Sequence, residues 1–305
     1  MNNPLLFSIV IPTYNRESFI LNTLDSVFTQ TYSHYEIIIV DNCSTDGTVD
    51  ILQPLADTGK IRLIQHEKNY ERARSRNTGL ENAMGDFVTF LDSDDFMYPN
   101  NLTDAAAYAA NNPNIKCFHN LYELIDADKK VLRKFSYPPL GNRIKAIVKG
   151  NFMSCIGNFI HRDVYQKFRF DTFKDLTGAE DWDFWLRVLG DYDLGRIEKI
   201  NSGILHHDTR TVQTKHFEVL ENGYLHLFNK FREDTHLSEI YAKYLSRIEA
   251  SSYMYLATLA NTNGFFDDTR RYLRLARQKD ASVVFSIRFL NILRRAAFKL
   301  QIKYL

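Results

Sequence analysis

The sequence predicts an α/β fold with a mostly parallel central sheet, followed by a helical C-terminal region. Three observations carry that prediction. Short apolar runs alternate with amphipathic stretches from Phe7 to Leu91, a βαβαβαβ rhythm. Each run closes in polar residues, as strands do where the carboxyl rim of an open sheet meets a ligand. From about Phe217 the pattern turns almost purely helical.

The elements follow in order. Phe7-Ser-Ile-Val-Ile-Pro12 reads as a buried strand. Ser18 to Thr31 sets Ile20, Leu24, Val27 and Phe28 on one helical face. Glu36-Ile-Ile-Ile-Val-Asp41 is the second strand and Thr48 to Ala56 the next helix. Ile61-Arg-Leu-Ile64 is a third strand, Ala73 to Ala83 a helix, and Phe87 to Leu91 a fourth strand. Lys116 to Arg169 reads as mixed, with a hairpin around Asp126-Ala-Asp-Lys129, and Glu180 to Leu189 as a helix. Asn263-Gly-Phe-Phe-Asp267 then breaks two helices into a hairpin that loosely resembles one tetratricopeptide unit, too few for a solenoid. The expected division is 1–216 and 217–305.

Composition narrows the function. The chain has 305 residues and a formal net charge of +1, so no global field draws it to nucleic acid. Three scattered cysteines, Cys43, Cys117 and Cys155, fit reduced thiols and match no zinc spacing. The chain enters a strand by Phe7 without a signal-peptide start, and no apolar run reaches transmembrane length. A cytoplasmic protein is expected.

The densest chemistry is in Phe87-Val-Thr-Phe-Leu-Asp-Ser-Asp-Asp95. Asp92 and Asp94 are two apart, so an extended backbone aims both one way. Two such carboxylates repel unless a cation lies between them. Hard oxygen ligands this few suit Mg²⁺ or Mn²⁺, which keep waters and take further ligands from substrate phosphates. The other reading is an acidic turn capping the helix after Pro99. An EF-hand is excluded, because Met97 stands where its glycine is needed and Thr103 where its closing Glu is needed.

Three further strand ends carry polar loops. They are Pro12-Thr-Tyr-Asn-Arg16, then Asp41-Asn-Cys-Ser-Thr-Asp-Gly-Thr48, then Asn69 followed by Arg72, Arg74, Arg76 and Asn77. Asp41 can accept from a base N–H, and Arg72 and Arg76 can offset diphosphate charge. Read singly, Ser44-Thr-Asp-Gly47 is a turn with a helix cap and the arginines are a solvated helix face. A parallel sheet would bring all four loops to one rim. Neither a Gly-x-Gly-x-x-Gly after the first strand nor a Walker loop is present. A second acidic site, Gly178-Ala-Glu-Asp-Trp-Asp-Phe-Trp-Leu-Arg187, opens a helix with Trp182, Trp185, Leu186 and Leu189 as its apolar stripe. Glu180 and Asp181 either cap that helix or offer a partly desolvated general base. Of His206 and His207, either a structural role or a place in a metal shell begun by Asp94 is open.

Five of these elements come in one order: Ile9-Val-Ile-Pro-Thr-Tyr-Asn-Arg16, Ile39-Val-Asp-Asn-Cys-Ser-Thr-Asp-Gly-Thr48, Asn69 to Gly79 ending Arg76-Asn-Thr-Gly79, Phe90-Leu-Asp-Ser-Asp-Asp95 and Ala179-Glu-Asp-Trp-Asp-Phe-Trp-Leu-Arg187. Together they resemble the family 2 glycosyltransferases, inverting enzymes of GT-A fold. The resemblance implies a nucleotide-sugar donor, most often UDP-linked, and a divalent cation, Mn²⁺ or Mg²⁺. It implies a glycan or lipid-linked glycan as acceptor, in surface polysaccharide synthesis. Residues 1–95 would form the donor half and 96–216 the acceptor half, with 96–160 and 205–225 shaping the acceptor pocket. Thr13 and Asp41 are implied at the nucleoside, and further donor contacts fall on Pro12, Tyr14, Asn15, Arg16, Asn69, Arg72, Arg76 and Ser93. Asp92 would lie near ribose or sugar and Asp94 would be the main metal ligand, with Asp92 and His207 beside it and His206 as the second choice of histidine. Asp181 would be the base, with Glu180 adjacent. Two departures stand out: Asn42 where a second acid is common, and Glu71 where a small residue is usual. A nucleotidyltransferase would need a glycine-rich basic loop after the first strand, which Pro12 to Arg16 is not. A non-catalytic binding module would lack the acids that Asp92, Asp94 and Asp181 supply.

The C-terminus adds a membrane expectation. Val284, Ile287, Leu290, Leu293, Ala297, Leu300 and Tyr304 recur at helical spacing after Val283, with Arg288, Arg295, Lys299 and Lys303 opposite. Such a helix either lies on an anionic bilayer, making the protein peripheral on the inner face of the plasma membrane, or packs on the catalytic domain or on a second subunit as a homodimer.

Overall fold

The structure is a computed structural model describing residues 4–207 and 217–302. Tyr304 and Lys303 of the expected C-terminal helix lie outside the described residues, as does the stretch 208–216 of the expected acceptor segment.

Seven consecutive buried residues make β1 (Phe7–Thr13), with parallel neighbours on both sides. The chain continues through α1 (Ile20–Phe28), β2 (Tyr35–Asp41), α2 (Thr48–Asp57), β3 (Arg62–Gln65), α3 (Arg72–Asn82) and β4 (Phe87–Phe90). These four strands are parallel in the order β3-β2-β1-β4, as the alternating pattern predicts. Then come β5 (Phe96–Met97), α4 (Asn101–Asn111), β6 (Cys117–Ile125), β7 (Val131–Lys134), α5 (Arg143–Ile147), β8 (Asn158–His161), α6 (Arg162–Lys167), α7 (Glu180–Asp191) and β9 (Leu194–Leu205). The sheet continues β4-β8-β6-β9-β5, with β7 paired to β6. The β6–β7 pair is the expected hairpin, and Asp126 closes its turn by accepting from the backbone of Asp128 and Lys130.

Helices cover both faces of the sheet. Ile9 and Ile11 share a core with Ile20, Leu24, Leu52 and Leu102, from α1, α2 and α4. Val10 faces the other way, against α3, where a Cβ on Gly79 would stand 2.2 Å from Val10 Cγ1. Phe7, Phe87, Phe118 and Phe159 pack across four strands, two pairs stacked and two edge-to-face, with ring centroids 5.1–6.0 Å apart. One expectation is corrected here. Phe28 does not join the buried face of α1; it ends the helix exposed, and Thr23 is buried with Ile20, Leu24 and Val27.

Two compact units emerge. Among the described residues the first holds 4–143, 152–172 and 183–207, including the whole sheet, and the second holds 144–151, 173–182 and 217–302. The second unit thus draws two short segments from within the first 216 residues. Close packing is the cause: a Cβ on Gly223 would stand 2.2 Å from the Asp175 carbonyl oxygen, and Ser251 donates to the Val148 carbonyl at 2.8 Å. The second unit is built from α8 (Phe217–Glu233), α9 (Thr235–Tyr241), α10 (Leu245–Thr262), α11 (Phe266–Lys279) and α12 (Ile287–Ala297). Gly264, at φ +78°, turns α10 into α11 inside the expected break.

Candidate active site

Register sets the carboxyl ends of β1, β2 and β3 level, and β4 ends three residues short of them, where its acidic loop begins. Thr13 pairs with Asp41, and Asp41 with Gln65, while Phe90 at the end of β4 pairs with Val10. The polar loops therefore leave one rim of the sheet, as the strand-end pattern predicts.

The first two loops are laced together. Asn15, at φ +51°, donates its backbone N–H to Ser44 Oγ at 2.9 Å and accepts from Thr45 N at 2.8 Å. Arg16 N donates to Thr48 Oγ1 at 2.8 Å. Pro12 and Thr13 are buried, and Tyr14 is exposed. Asp41 is buried and takes both the N–H and the hydroxyl of Ser44, so it organises its own loop. The Thr13 hydroxyl is buried at this rim without a hydrogen-bond partner among the described residues. A buried polar group left so is costly unless something else meets it.

Asn42 ties the second loop to the third. Its amide donates to Asn69 Oδ1 at 2.8 Å, and its Oδ1 accepts from Tyr70 N at 3.0 Å and lies 3.0 Å from His66 Nδ1. His66 Nε2 meets Thr78 Oγ1 at 3.0 Å. Burial, then Arg74, lowers the His66 pKa, with Asp41 opposing. A neutral ring donating to Asn42 and accepting from Thr78 satisfies both bonds. Glu71 follows at φ +71°, which favours the small residue it replaces.

In α3 the arginines separate. Arg74 is exposed and Arg72 partly so, but Arg76 is buried, donating to Asp92 Oδ1 at 3.0 Å over the Phe170 ring. Arg76 is therefore not part of a solvated face. Asn77 exchanges two hydrogen bonds with the Phe170 backbone, which fixes the helix beneath it.

The acidic loop splits three ways. Asp92 turns to Arg76. Asp94 Oδ2 lies 2.9 Å from His207 Nε2 and 3.3 Å from Arg16 Nε. Asp95 is buried and accepts from Leu205 N at 3.0 Å, pinning the end of β9 just before the histidines. His207 meets Asp94, with Phe19 against its ring at 4.8 Å. Among the described residues no three ligating side chains cluster as a metal cage. A buried carboxylate and an imidazole converging at one oxygen nonetheless suit a hard cation that takes its other ligands from phosphates and water. Ser93 is buried between the two acids.

The second acidic motif is divided at the boundary, with Glu180 to Trp182 in the second unit. Glu180 is buried and accepts from Gly178 N at 2.5 Å, a capping role. Asp181 is half-buried, with Asn151 donating to its Oδ2 at 2.9 Å. Trp182 fixes this corner by donating to the Ile147 carbonyl at 2.9 Å. Asp183 is buried against Arg187 in a helical ion pair at 2.6 Å.

Sequence reasoning missed Asp95, Phe19, His66 and Asn151 as parts of this architecture. Asp95 was visible as a third acid, but its partner Leu205 is 110 residues away. The others carried no local signal.

The model of Glycosyl transferase family 2 matches residues 8–169 of the chain. The chain is 32% identical over 200 residues to the UDP-Glc:alpha-D-GlcNAc-diphosphoundecaprenol beta-1,3-glucosyltransferase WfgD of Escherichia coli, a match covering 66% of this chain and 75% of that protein. The fold is similar to that of S. aureus TarS 1–349, solved with UDP-GlcNAc, with a TM-score of 0.67 and 20% identity over 96% of this chain and 87% of that one. It is also similar to the mannosyltransferase PcManGT of Pyrobaculum calidifontis, solved with GDP-Man and Mn²⁺, with a TM-score of 0.60 and 17% identity over 96% and 84%.

Proposed function

The chain belongs to glycosyl transferase family 2, and from that premise we propose that it moves a sugar from a nucleotide-diphosphate donor to a hydroxyl of a glycan or lipid-linked glycan, with inversion at the anomeric carbon. It is a glycosyltransferase of GT-A type fold. A UDP-linked donor is favoured by the UDP-GlcNAc bound to TarS and the UDP-Glc in the name of WfgD. The undecaprenol-linked acceptor in that name favours work at the inner membrane face in surface polysaccharide synthesis.

The observation that carries the reading is the meeting of Asp94 and His207 at 2.9 Å on the carboxyl rim, where the Thr13 hydroxyl is buried without a hydrogen-bond partner among the described residues. In this proposal Thr13, Asp41 and the Pro12 to Arg16 loop hold the nucleoside. Asn69, Arg72, Arg76, Asp92 and Ser93 border the diphosphate and sugar. Asp94 and His207 would hold Mn²⁺ or Mg²⁺, with Asp92 within the same loop. When bound, the cation neutralises charge on the departing diphosphate. The Mn²⁺ in PcManGT supports that assignment.

Each step at the chain's own residues follows from charge. Arg16 and Arg72 offer guanidinium charge to the leaving group. Asp181 accepts the acceptor's hydroxyl proton as the oxygen attacks the anomeric carbon from the face opposite the diphosphate. The C–O bond to the diphosphate breaks as the new one forms, through a transition state with oxocarbenium character. One displacement inverts the centre, and one base suffices. Glu180, adjacent to the base, accepts from Gly178 N and supports the helix start.

The test is incubation with a panel of nucleotide sugars, Mn²⁺ and polyprenyl-diphosphate-linked glycan acceptors, measuring nucleoside diphosphate release. Acceptor-dependent release from one donor is expected. Release from none, with the protein folded, counts against the proposal.

A further inference from the structure

The helix α12 has two apolar faces, and among the described residues one is packed and the other is exposed. Phe289, Ile292 and Ala296 are buried, at the i, i+3, i+7 spacing of a packed stripe. The neighbouring stripe points outward: Ile287 is 78% exposed, Leu290 54% and Leu293 42%. Phe285 before the helix and Phe298 after it are 86% and 70% exposed. The outward stripe is the one the periodicity picked out after Val283. Packing and surface roles therefore fall on different residues of the same helix.

We propose that this outward face docks on an anionic lipid bilayer. Its charge decides between occupants. Five basic residues and no acid follow Asp280. Of these, Arg288 donates to Thr258 Oγ1 and Arg295 to the Gln301 carbonyl, while Arg294 and Lys299 are exposed beside the apolar stripe. A second copy meeting this face symmetrically would set the same cations against each other with no acid on the segment to pair them. An anionic headgroup layer supplies the missing charge, and the acyl boundary receives Leu290, Leu293 and Phe298. No helix among the described residues is long and apolar enough to cross a membrane, so the contact is peripheral. Its use, holding the enzyme beside a lipid-linked acceptor, rests on the proposed function; its evidence does not.

The experiment is sedimentation of the full chain with phosphatidylglycerol-containing vesicles or with pure phosphatidylcholine vesicles, without any sugar donor. Wild type is expected to pellet with the anionic vesicles at low salt and to be released by high salt. Arg294→Glu/Lys299→Glu is expected to weaken partitioning at least about 30-fold, since each cation near such a surface is worth about fivefold. Leu290→Glu/Leu293→Glu is expected to abolish it while leaving the melting temperature unchanged, because both side chains are already outward. No pelleting of wild type at low salt overturns the proposal, as does equal binding to neutral vesicles. A wild-type dimer in sedimentation velocity that Leu290→Glu/Leu293→Glu converts to monomer would instead assign the face to a second copy. Because no donor is present, failure here leaves the transferase reading standing.

Discussion

At Asp94 the Arg16 guanidinium and the His207 imidazole meet one carboxylate. On the proposed function, Asp94→Ala is expected to abolish sugar transfer and cation-dependent UDP binding while the circular dichroism spectrum holds. Full activity in that variant, or in excess chelator, refutes the assignment. Asp181 accepts from Trp182 N and from the Asn151 amide, and on the proposed function this half-buried carboxylate takes the acceptor's proton. Asp181→Asn is expected to lower turnover by about 10²–10⁴-fold with donor affinity nearly unchanged. Collapse of donor affinity with turnover intact would move Asp181 to the donor site. His119 gives a pH test. Its Nδ1 donates to the Asn120 carbonyl and its Nε2 accepts from Arg196 Nε, and burial lowers its pKa to about 4. The unfolded chain, titrating near 6.5, binds more protons between these values. Stability from the buried neutral ring is thus complete above 6.5 and lost as pH falls toward 4, by about 3 kcal/mol in all. Urea midpoints of wild type and His119→Gln from pH 7 to pH 4.5 check this: the variant should lose stability less steeply, and parallel slopes would exclude His119 as the cause.

Among the elements, α3 does most to shape the rim. It lies directly on β1 because Gly79 leaves room for Val10. Gly79→Ala forces a methyl into a space that does not exist and should cost about 1–3 kcal/mol by overpacking. It should also raise the donor KM, since Arg76 and Asn77 ride on the same helix. A melting curve and donor titration decide; an unchanged Tm would mean that the helix shifts freely. The same close approach explains why the sequence reading of α3 was partial. Its arginines recur without an apolar stripe, so the pattern favoured a solvated face. Burial of Arg76 is set by Asp92 and Phe170, which lie 16 and 94 residues away. By contrast β1 and β2 were legible outright, because a strand covered on both faces is apolar along a near-continuous run, here Ile9–Pro12 and Ile37–Val40.

Over the whole molecule, the sequence by itself determined the parallel first half, the polar rim at its strand ends, the β6–β7 hairpin, the α10–α11 break and the motifs that mark the family. Each rests on local rules: residue period, turn chemistry and the order of short motifs along the chain. The tertiary structure alone decided which partner each of Asp92, Asp94 and Asp95 meets, because Arg76, His207 and the Leu205 backbone are brought to them from distant parts of the chain. It set His207 against Asp94 across 113 residues of chain. It drew 144–151 and 173–182 into the helical unit, and it divided the apolar positions of α12 into a packed stripe and an outward one. Periodicity reports that a face is apolar. What covers that face depends on distant residues, and their positions are set by packing.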